Sequence, residues 1–434
     1  MSSIRTFYLL TITQVCSLIG SLMTSTALGI RIFNDTGNST PLLLASFFAA
    51  LPLMIGGIFA GVFADRWQRR YVLILSDTGQ AIGTLLLLIS FASGEFQLWH
   101  LYLVSFLQGT LGTFQRPAME ASVTMLVPDN HRDRANAIRQ ITGPTAGMIA
   151  PVVTGLIYAS VGVIGVMLID LLTFVVAVTT VYLVRIPQPR SKTPDRQPSI
   201  WHEAWSGFQY VWSRRVLFVL MLYATMVNFL LAGPITLTTP YIITLTDSET
   251  ILGVLLGLMN VGIVVGGLVM SVWGGTRPRI HGIMLGLLVR ASMLVLYGVA
   301  DAPLTLGIAL FFVFFTNALI DASFMSIMQL KVPPPMQGRV FALLFQMMQL
   351  ATPLSLLITG PLVDRLLEPA VGSPLWTIVT PIVGEQRGAG MGLLMVIAGC
   401  SMFFITLVVY SHPKVRRLEN DLPDYKGTPD VAKV

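Results

Sequence analysis

The sequence predicts an all-α polytopic membrane protein, with twelve transmembrane helices in two pseudo-symmetric six-helix bundles. Three observations predict it. The composition is too poor in charge for a water-soluble domain, apolar runs of spanning length recur along the chain, and its two halves resemble each other.

Of 434 residues, 54% are hydrophobic and 11% are charged, and the mean hydropathy is +0.75. A soluble domain carries roughly 25% charged residues, so the solvent expected here is a bilayer. Cys16 and Cys400 sit in apolar runs at opposite ends of the chain. They give neither a disulfide framework nor a metal-ligand spacing and are expected to be packing residues. The first apolar run, 7–33, exceeds the roughly 7–15 residues of a secretory h-region. It is expected to be a retained spanning helix.

The runs cover 7–33, 42–64, 71–93, 99–126, 135–159, 162–185, 216–245, 251–274, 282–300, 304–330, 339–364 and 388–411. Each has about the length that crosses a hydrocarbon core as a helix. Between the sixth and seventh the pattern changes. Pro187 to Pro198 is rich in Pro and Arg, and Trp201 to Arg215 alternates aromatic with charged residues. The second stretch reads as an amphipathic helix on the membrane surface or as a plain linker helix. The expected organisation is therefore 1–185 as the first bundle, 186–215 as the linker, 216–411 as the second bundle and 412–434 as a tail.

Basic residues orient the chain. With both termini in the cytoplasm, most of the 27 Lys and Arg fall on that side, including Arg66, Arg69, Arg70, Arg132, Arg134, Arg277, Arg279, Lys414 and Arg416. The net charge of +6 thus reads as a topology signal, and no nucleic-acid partner is expected. The halves align at one constant offset through Val127-Pro128, Arg134 and Ala137 against Val332-Pro333, Arg339 and Ala342. Gly57 and Gly267 align similarly in the second and eighth runs. Duplicated bundles are how many transporters build a site between two rocking halves.

One loop carries more than topology. Gly61, Asp65, Arg66, Arg69 and Arg70 lie where the second run gives way to the third. An acid beside three arginines forms a charge-assisted cluster, and the glycine permits close helix approach; the plain alternative is an ordinary basic loop. The spacing resembles the Gly-x-x-x-Asp-Arg-x-x-Arg-Arg signature of the major facilitator superfamily, with Gln68 where that family usually has Gly. The resemblance implies a secondary active transporter working by alternating access. It also implies a cytoplasmic latch, closed when the protein faces outward, with Asp65 as acceptor and the three arginines as partners. The matching loop at 274–280 keeps Arg277 and Arg279 but has no acid, so the latch is expected to be asymmetric.

Gly147, Pro151 and Gly155 resemble the Gly-Pro motif that bends the fifth helix of the family's antiporters, although Ala150 and Thr154 replace usual glycines. A simple packing kink is the alternative. Gly338-Arg339, Gly360-Pro361-Leu-Val-Asp364 and Glu368-Pro369 resemble the branch containing macrolide-efflux proteins and siderophore exporters.

Charged residues at bilayer depth cost about 2.5–3.5 kcal/mol each on insertion scales. Asp77, Arg116, Glu120, Asp170, Arg290 and Asp321 therefore need reasons. Helix rise puts Asp77 and Glu120 roughly 9 Å from the cytoplasmic ends, and Arg116, Arg290 and Asp321 roughly 12–15 Å. The expected pairings are Asp77 with Arg116, Arg290 with Asp321, and Glu120 with Arg116 within its own helix. Asp77 and Asp170 are expected in structural ion pairs. The resemblance implies that the first, fourth, seventh and tenth helices line the cavity. Arg116, Glu120, Asn228, Asn317 and Asp321, with Arg290, are then the expected substrate and proton pathway. Asp321 is the first coupling candidate and Glu120 the second. Gln14, Gln80, Gln108, Asn260, Gln346 and Gln349 either line the path or bond helices together.

The expected function is proton-coupled export of amphipathic small molecules such as drugs, siderophores or secondary metabolites. An importer or lipid flippase of the same fold is the alternative. An intramembrane enzyme fits poorly, because His100, His131, His202, His281 and His412 fall at span ends or in loops, away from bilayer depth. No Gly-x-x-x-x-Gly-Lys phosphate loop occurs, which argues against a primary pump. No catalytic residue, metal or cofactor is expected; the proton gradient is the energy source. The expected partners are a small-molecule substrate and membrane lipids, for a monomer in the inner membrane.

Overall fold

The computed structural model describes residues 3–127, 131–184, 200–421 and 424–425. Helices α1 (Ser3–Thr36), α2 (Thr40–Arg66), α3 (Arg69–Ala92) and α4 (Leu98–Leu126) are followed by the long α5 (Arg132–Leu183). Next come α6 (Ile200–Ser213), α7 (Arg215–Thr236), α8 (Thr238–Thr246), α9 (Glu249–Trp273), α10 (Arg279–Val299), α11 (Pro303–Lys331) and α12 (Pro334–Leu362). Short α13 (Glu368–Ala370) and α14 (Thr380–Val383) lead to α15 (Ala389–Ser411), then α16 (Pro413–Arg416) and α17 (Leu418–Asp421). Nine described stretches are long and apolar enough to cross a membrane. The one at 138–183 is long enough to cross twice, and α2 and α4, of 27 and 29 residues, complete twelve.

Local chemistry sets the boundaries. α5 joins two expected spans because only Gly162 leaves helical geometry, at φ 62° and ψ −173°. Glycine reaches that region without the Cβ penalty, so the chain reverses there. The Ser248 side chain accepts the Ile251 N–H at 3.3 Å and caps α9. At the other end of α9, Gly274 takes the left-handed conformation, φ 73°, that ends many helices.

The first bundle packs α1 on α5, α2 on α4, and α3 on both α4 and α5; the second packs α9 and α10 on α11, α10 on α15, and α7 on α12. The halves meet where α5 lies on α9 and α2 lies on α12. Moving six spans along the chain exchanges these two contacts, so the interface has the same pseudo-symmetry as the sequence. We refer to the end holding Arg69, Arg70, Arg139, Lys331 and Arg339 as the basic end, and to its opposite as the far end.

The surface is apolar and the interior holds charge, the reverse of a soluble domain. Leu183, Val272 and Leu304 are largely exposed, while Asp77, Asp170 and Arg290 are buried. Cys16 and Cys400 are both exposed rather than packed inside, because lipid accommodates a thiol as readily as a core does. Of the expected linker, Pro187 to Pro198 lies outside the described residues, and 200–213 forms α6, packed on α12. On α6 Val211 is buried, Trp205 and Trp212 are exposed, and Phe208 stacks between those two at 5.6 and 5.5 Å. At the basic end Lys331 pairs with Asp424 at 2.8 Å and Arg279 with Glu419 at 3.5 Å, fixing the segment after α15 to the second bundle.

Candidate functional site

A cavity of about 1010 Å³ lies in the first bundle, lined by Gln14, Asp77, Gln80, Gln115, Arg116 and Glu120 among others. Its basic-end rim carries the side chains of Arg116 and Glu120, 79% and 52% exposed. These two pair at 3.5 Å, one helical turn apart as expected, and Arg139 reaches the same Glu120 oxygen at 3.7 Å.

Asp77 is 1% exposed and its partners are amides. Gln14 donates to one carboxylate oxygen at 2.8 Å, and Gln115 donates to the other at 2.5 Å. Gln80 in turn donates to Gln115 at 2.7 Å. The expected Asp77–Arg116 ion pair is absent, and the reason is angular. Successive helix residues differ by about 100° (3.6 per turn). Gln115 faces α3 and α1, which turns Arg116 toward the rim and Glu120.

Asp170 is likewise no ion-pair member. It is 1% exposed, and it accepts from Ser21 at 3.2 Å, Thr24 at 3.0 Å and Thr84 at 3.3 Å. It lines a second cavity, of about 370 Å³, toward the far end. There Ile235, Thr236 and Thr239 of the second bundle close over it.

In the second bundle Arg290 and Asp321 act on each other electrostatically but make no direct ion pair. Arg290 donates to Thr316 at 3.1 Å and to Asn317, one turn from Asp321 on α11. The short amide intercepts the guanidinium before it reaches the acid. Asp321 is exposed and makes no hydrogen bond or ion pair among the described residues. Asn228 accepts from Thr352 at 2.9 Å, tying α7 to α12.

Gly147, Pro151 and Gly155 lie on the face of α5 that meets α9. A Cβ on Gly147 would meet Asn260 Oδ1 at 2.5 Å, and one on Gly155 would meet Gly253 Cα at 3.2 Å. Asn260 donates to the Gly147 carbonyl at 3.0 Å, and Thr250 donates to that of Gly155 at 3.1 Å. These residues let two backbones touch across the halves. The break in helical geometry comes later, at Gly162.

The far end is closed by a second contact between the halves. Asp364, one residue past Val363 at the end of α12, accepts from the backbone N–H of Ser39 at 3.0 Å and of Thr40 at 2.6 Å. Thr40 opens α2, so a carboxylate of one bundle caps a helix of the other, where orphan N–H groups and the helix dipole both favour negative charge. Close approach of Gly360 to Thr40 Cα, 3.0 Å from a Cβ placed there, allows it. One turn on, Glu368 accepts from Gly388 and Met391 at 3.3 and 3.0 Å, capping α15.

At the basic end, Arg70 donates to the Tyr182 carbonyl and lies over the Tyr182 ring at 5.5 Å. That contact stays within the first bundle. The side chains of Gly61, Asp65 and Arg66 lie outside the described residues, and Arg69 has contacts of its own.

A sequence model of the Major Facilitator Superfamily matches residues 10–356. The chain belongs to that superfamily. It is 27% identical over 400 residues to macrolide efflux protein A of Streptococcus pyogenes, covering 88% of this chain and 96% of that one. Multidrug efflux pump Tap of Mycolicibacterium fortuitum is 25% identical over 372 residues, covering 80% and 86%. The fold matches a bacterial homolog of the human lysosomal transporter Spinster, solved inward-facing and unoccupied, at TM-score 0.72 and 16% identity, covering 97% and 98%. The protein is thus a membrane transporter of the major facilitator superfamily.

In this superfamily member the two buried carboxylates, Asp77 and Asp170, are held by neutral donors, which a search for opposite charges does not find. The amides Gln14, Gln80 and Gln115 and the hydroxyls Ser21, Thr24 and Thr84 were legible only as polar residues in apolar runs. The signal for the Asp364 cap was present in Gly360-Pro361-Leu-Val-Asp364. A small residue followed by an acid one turn later, at the end of a span, is what a close-packed capping contact requires.

Proposed function

We propose that this transporter exports amphipathic small molecules in exchange for protons, with its basic end in the cytoplasm. One observation carries the reading. The large cavity reaches the basic end while Asp364 and the α5–α9 glycine seam close the far end. That is one endpoint of alternating access, poised to load substrate from the cytoplasm. The cavity wall mixes Val15, Leu18, Met119 and Phe174 with amides and charges, a surface matched to molecules with both apolar bodies and polar groups. The efflux proteins to which the chain is similar favour export over import.

In this reading Arg116 and Glu120 on α4, and Asn228, Arg290, Asn317 and Asp321 on the second bundle, line the substrate and proton path. Asp321, exposed and with no hydrogen bond or ion pair among the described residues, is the group on the second bundle that takes a proton. Asp65, with Arg66, Arg69 and Arg70, closes the basic end after the halves rock. The protein acts as a monomer in the inner membrane and needs no cofactor beyond the gradient.

The test is uptake of a macrolide or a fluorescent cationic dye into inverted membrane vesicles, with and without an imposed pH gradient. The expected result is accumulation that collapses when the gradient is dissipated. Asp321→Asn is expected to insert normally and lose gradient-driven uptake. Uptake by the wild type that ignores the gradient removes proton coupling, and full uptake by Asp321→Asn removes that residue from the path.

A further inference from the structure

We propose that Asp170, with the hydroxyls of Ser21, Thr24 and Thr84, is a proton-binding site serving the far side of the membrane, and that Asp77 is its counterpart serving the basic end. The inference rests on the exchange mechanism proposed above and moves its proton path into the first bundle.

The geometry begins with what surrounds Asp170. Asp170 bonds to α1 and α3, and the cavity it lines is also walled by α2, α4, α7 and α8, none of whose lining side chains is charged or titratable. On α1 the titratable or charged residues are Arg5, Tyr8, Cys16, Arg31 and Asp35; Cys16 is exposed, and Arg31 pairs with Asp35 at 2.8 Å. On α3 they are Arg69, Arg70, Tyr71 and Asp77. Elsewhere α5 carries Arg132, Asp133, Arg134, Arg139, Tyr158 and Tyr182, the first two with side chains outside the described residues. Among the described residues, no cation lies within ion-pair distance of Asp170.

An ionised carboxylate taken out of water without a cation costs several kcal/mol, and three hydroxyl donors offset part of that. A single positive charge is the missing component. A Cβ placed on Gly20 would meet Asp170 Oδ1 at 2.8 Å, so α1 lies against one side of the carboxylate. A proton bound to a carboxylate oxygen supplies the charge without a ligand shell of its own.

A polar line then joins this cage to Asp77. Thr84 bonds Asp170 at 3.3 Å, Gln108 donates to Thr84 at 3.4 Å and to the Gln80 carbonyl at 3.3 Å, and Gln80 donates to Gln115, which donates to Asp77. The cavity holding Asp170 and the cavity holding Asp77 share Ser21 and Gln80 as walls. Asp170 lies on the side sealed by Ile235, Thr236 and Thr239 of the second bundle, which move away when the far end opens. The proton enters there, is carried as the neutral acid of Asp170, crosses as hydronium through water in the adjoining cavities to the carboxylate of Asp77, and leaves through the large cavity; the amides wall this path and do not carry the proton.

Two measurements test this. The first is proton binding by the purified protein in detergent, back-titrated from mildly acidic to mildly alkaline pH. Asp170→Asn is expected to bind one proton fewer than wild type over that range; an equal count overturns the site, whatever drives transport. The second compares gradient-driven uptake with substrate counterflow, which needs no gradient, in vesicles. Asp170→Asn is expected to lose at least tenfold in gradient-driven uptake while counterflow persists. Wild-type gradient drive in Asp170→Asn overturns the inference and leaves proton exchange standing, and so does equal loss of both activities, the mark of a structural residue. If Asp170→Asn does not fold, Thr24→Val keeps the acid and removes one donor. It is expected to shift the pH at which gradient-driven uptake is half-maximal, and an unshifted profile overturns the site.

Discussion

Asp77 shows how neutral groups hold a buried charge position. Each of its oxygens accepts from one amide, Gln14 on α1 and Gln115 on α4, so one residue on α3 stitches three helices. Leaving a buried acceptor unmet costs about 1–3 kcal/mol, more for a charged one. We therefore expect Gln115→Leu to lower detergent-solubilised stability by about 1.5–3 kcal/mol, and Asp77→Leu combined with it to recover part of that loss. Thermal unfolding followed by circular dichroism checks both; a double variant as unstable as the single sinks the account. The intramembrane charges stood out in the sequence as residues requiring a partner. Their partners did not, because Gln115 and Arg116 are adjacent in the chain yet point about 100° apart on the helix. Offset alone cannot say which of two neighbours turns inward.

Between elements, the deciding contacts are backbone against backbone. Gly155 and Gly253 place α5 and α9 so close that a Cβ on either meets the other's Cα at 3.2 Å. Gly266 makes a comparable approach to Phe315, but between α9 and α11 within the second bundle. The distinction gives a matched experiment. Overpacking costs roughly 1–3 kcal/mol, and at Gly253 that cost falls only on the state with the far end closed. Gly253→Ala is expected to shift the population toward the outward-open form by about tenfold or more, at roughly 1.4 kcal/mol per tenfold. Gly266→Ala is expected to lower stability in both states with no shift. Spin-label distances across the far end read the difference, and equal distance distributions for the two variants refute the seam as a gate. The twelve spans themselves were legible because length and apolarity are local properties. Gly147, Pro151 and Gly155 were legible as a motif, but their contact with Gly253 and Asn260 depends on which bundle faces which, and nothing in one chain's sequence specifies that.

For the whole molecule, the two bundles meet along α2–α12 and α5–α9. The family resemblance implies that Asp65, at the basic end of α2, is the acceptor of a latch that closes that end. The structure puts Asp364 at the far end of α12, capping α2. The same helix pair thus carries an acid for each end, one from each bundle, although the loop at 274–280 that matches Asp65 in sequence has none. The second bundle's acid is found at the other end of a different helix, which is why comparing equivalent loops misses it. Cysteine accessibility tests both the orientation and the closure. In a background with Cys16 and Cys400 replaced by serine, Glu95→Cys, exposed in a far-end hairpin inside one bundle, is expected to react with an impermeant maleimide from outside intact cells in every state. Ser39→Cys, 1% exposed beneath the cap, is expected to react slowly. Removing the cap with Asp364→Ala forfeits about 0.5–2 kcal/mol of helix capping in the closed state alone. Labelling at position 39 should then rise about two- to thirtyfold, while labelling at position 95 stays constant. Reaction of position 95 only after the cells are permeabilised would reverse the orientation, and an unchanged rate at position 39 would mean that the α2 cap does not hold the far end shut.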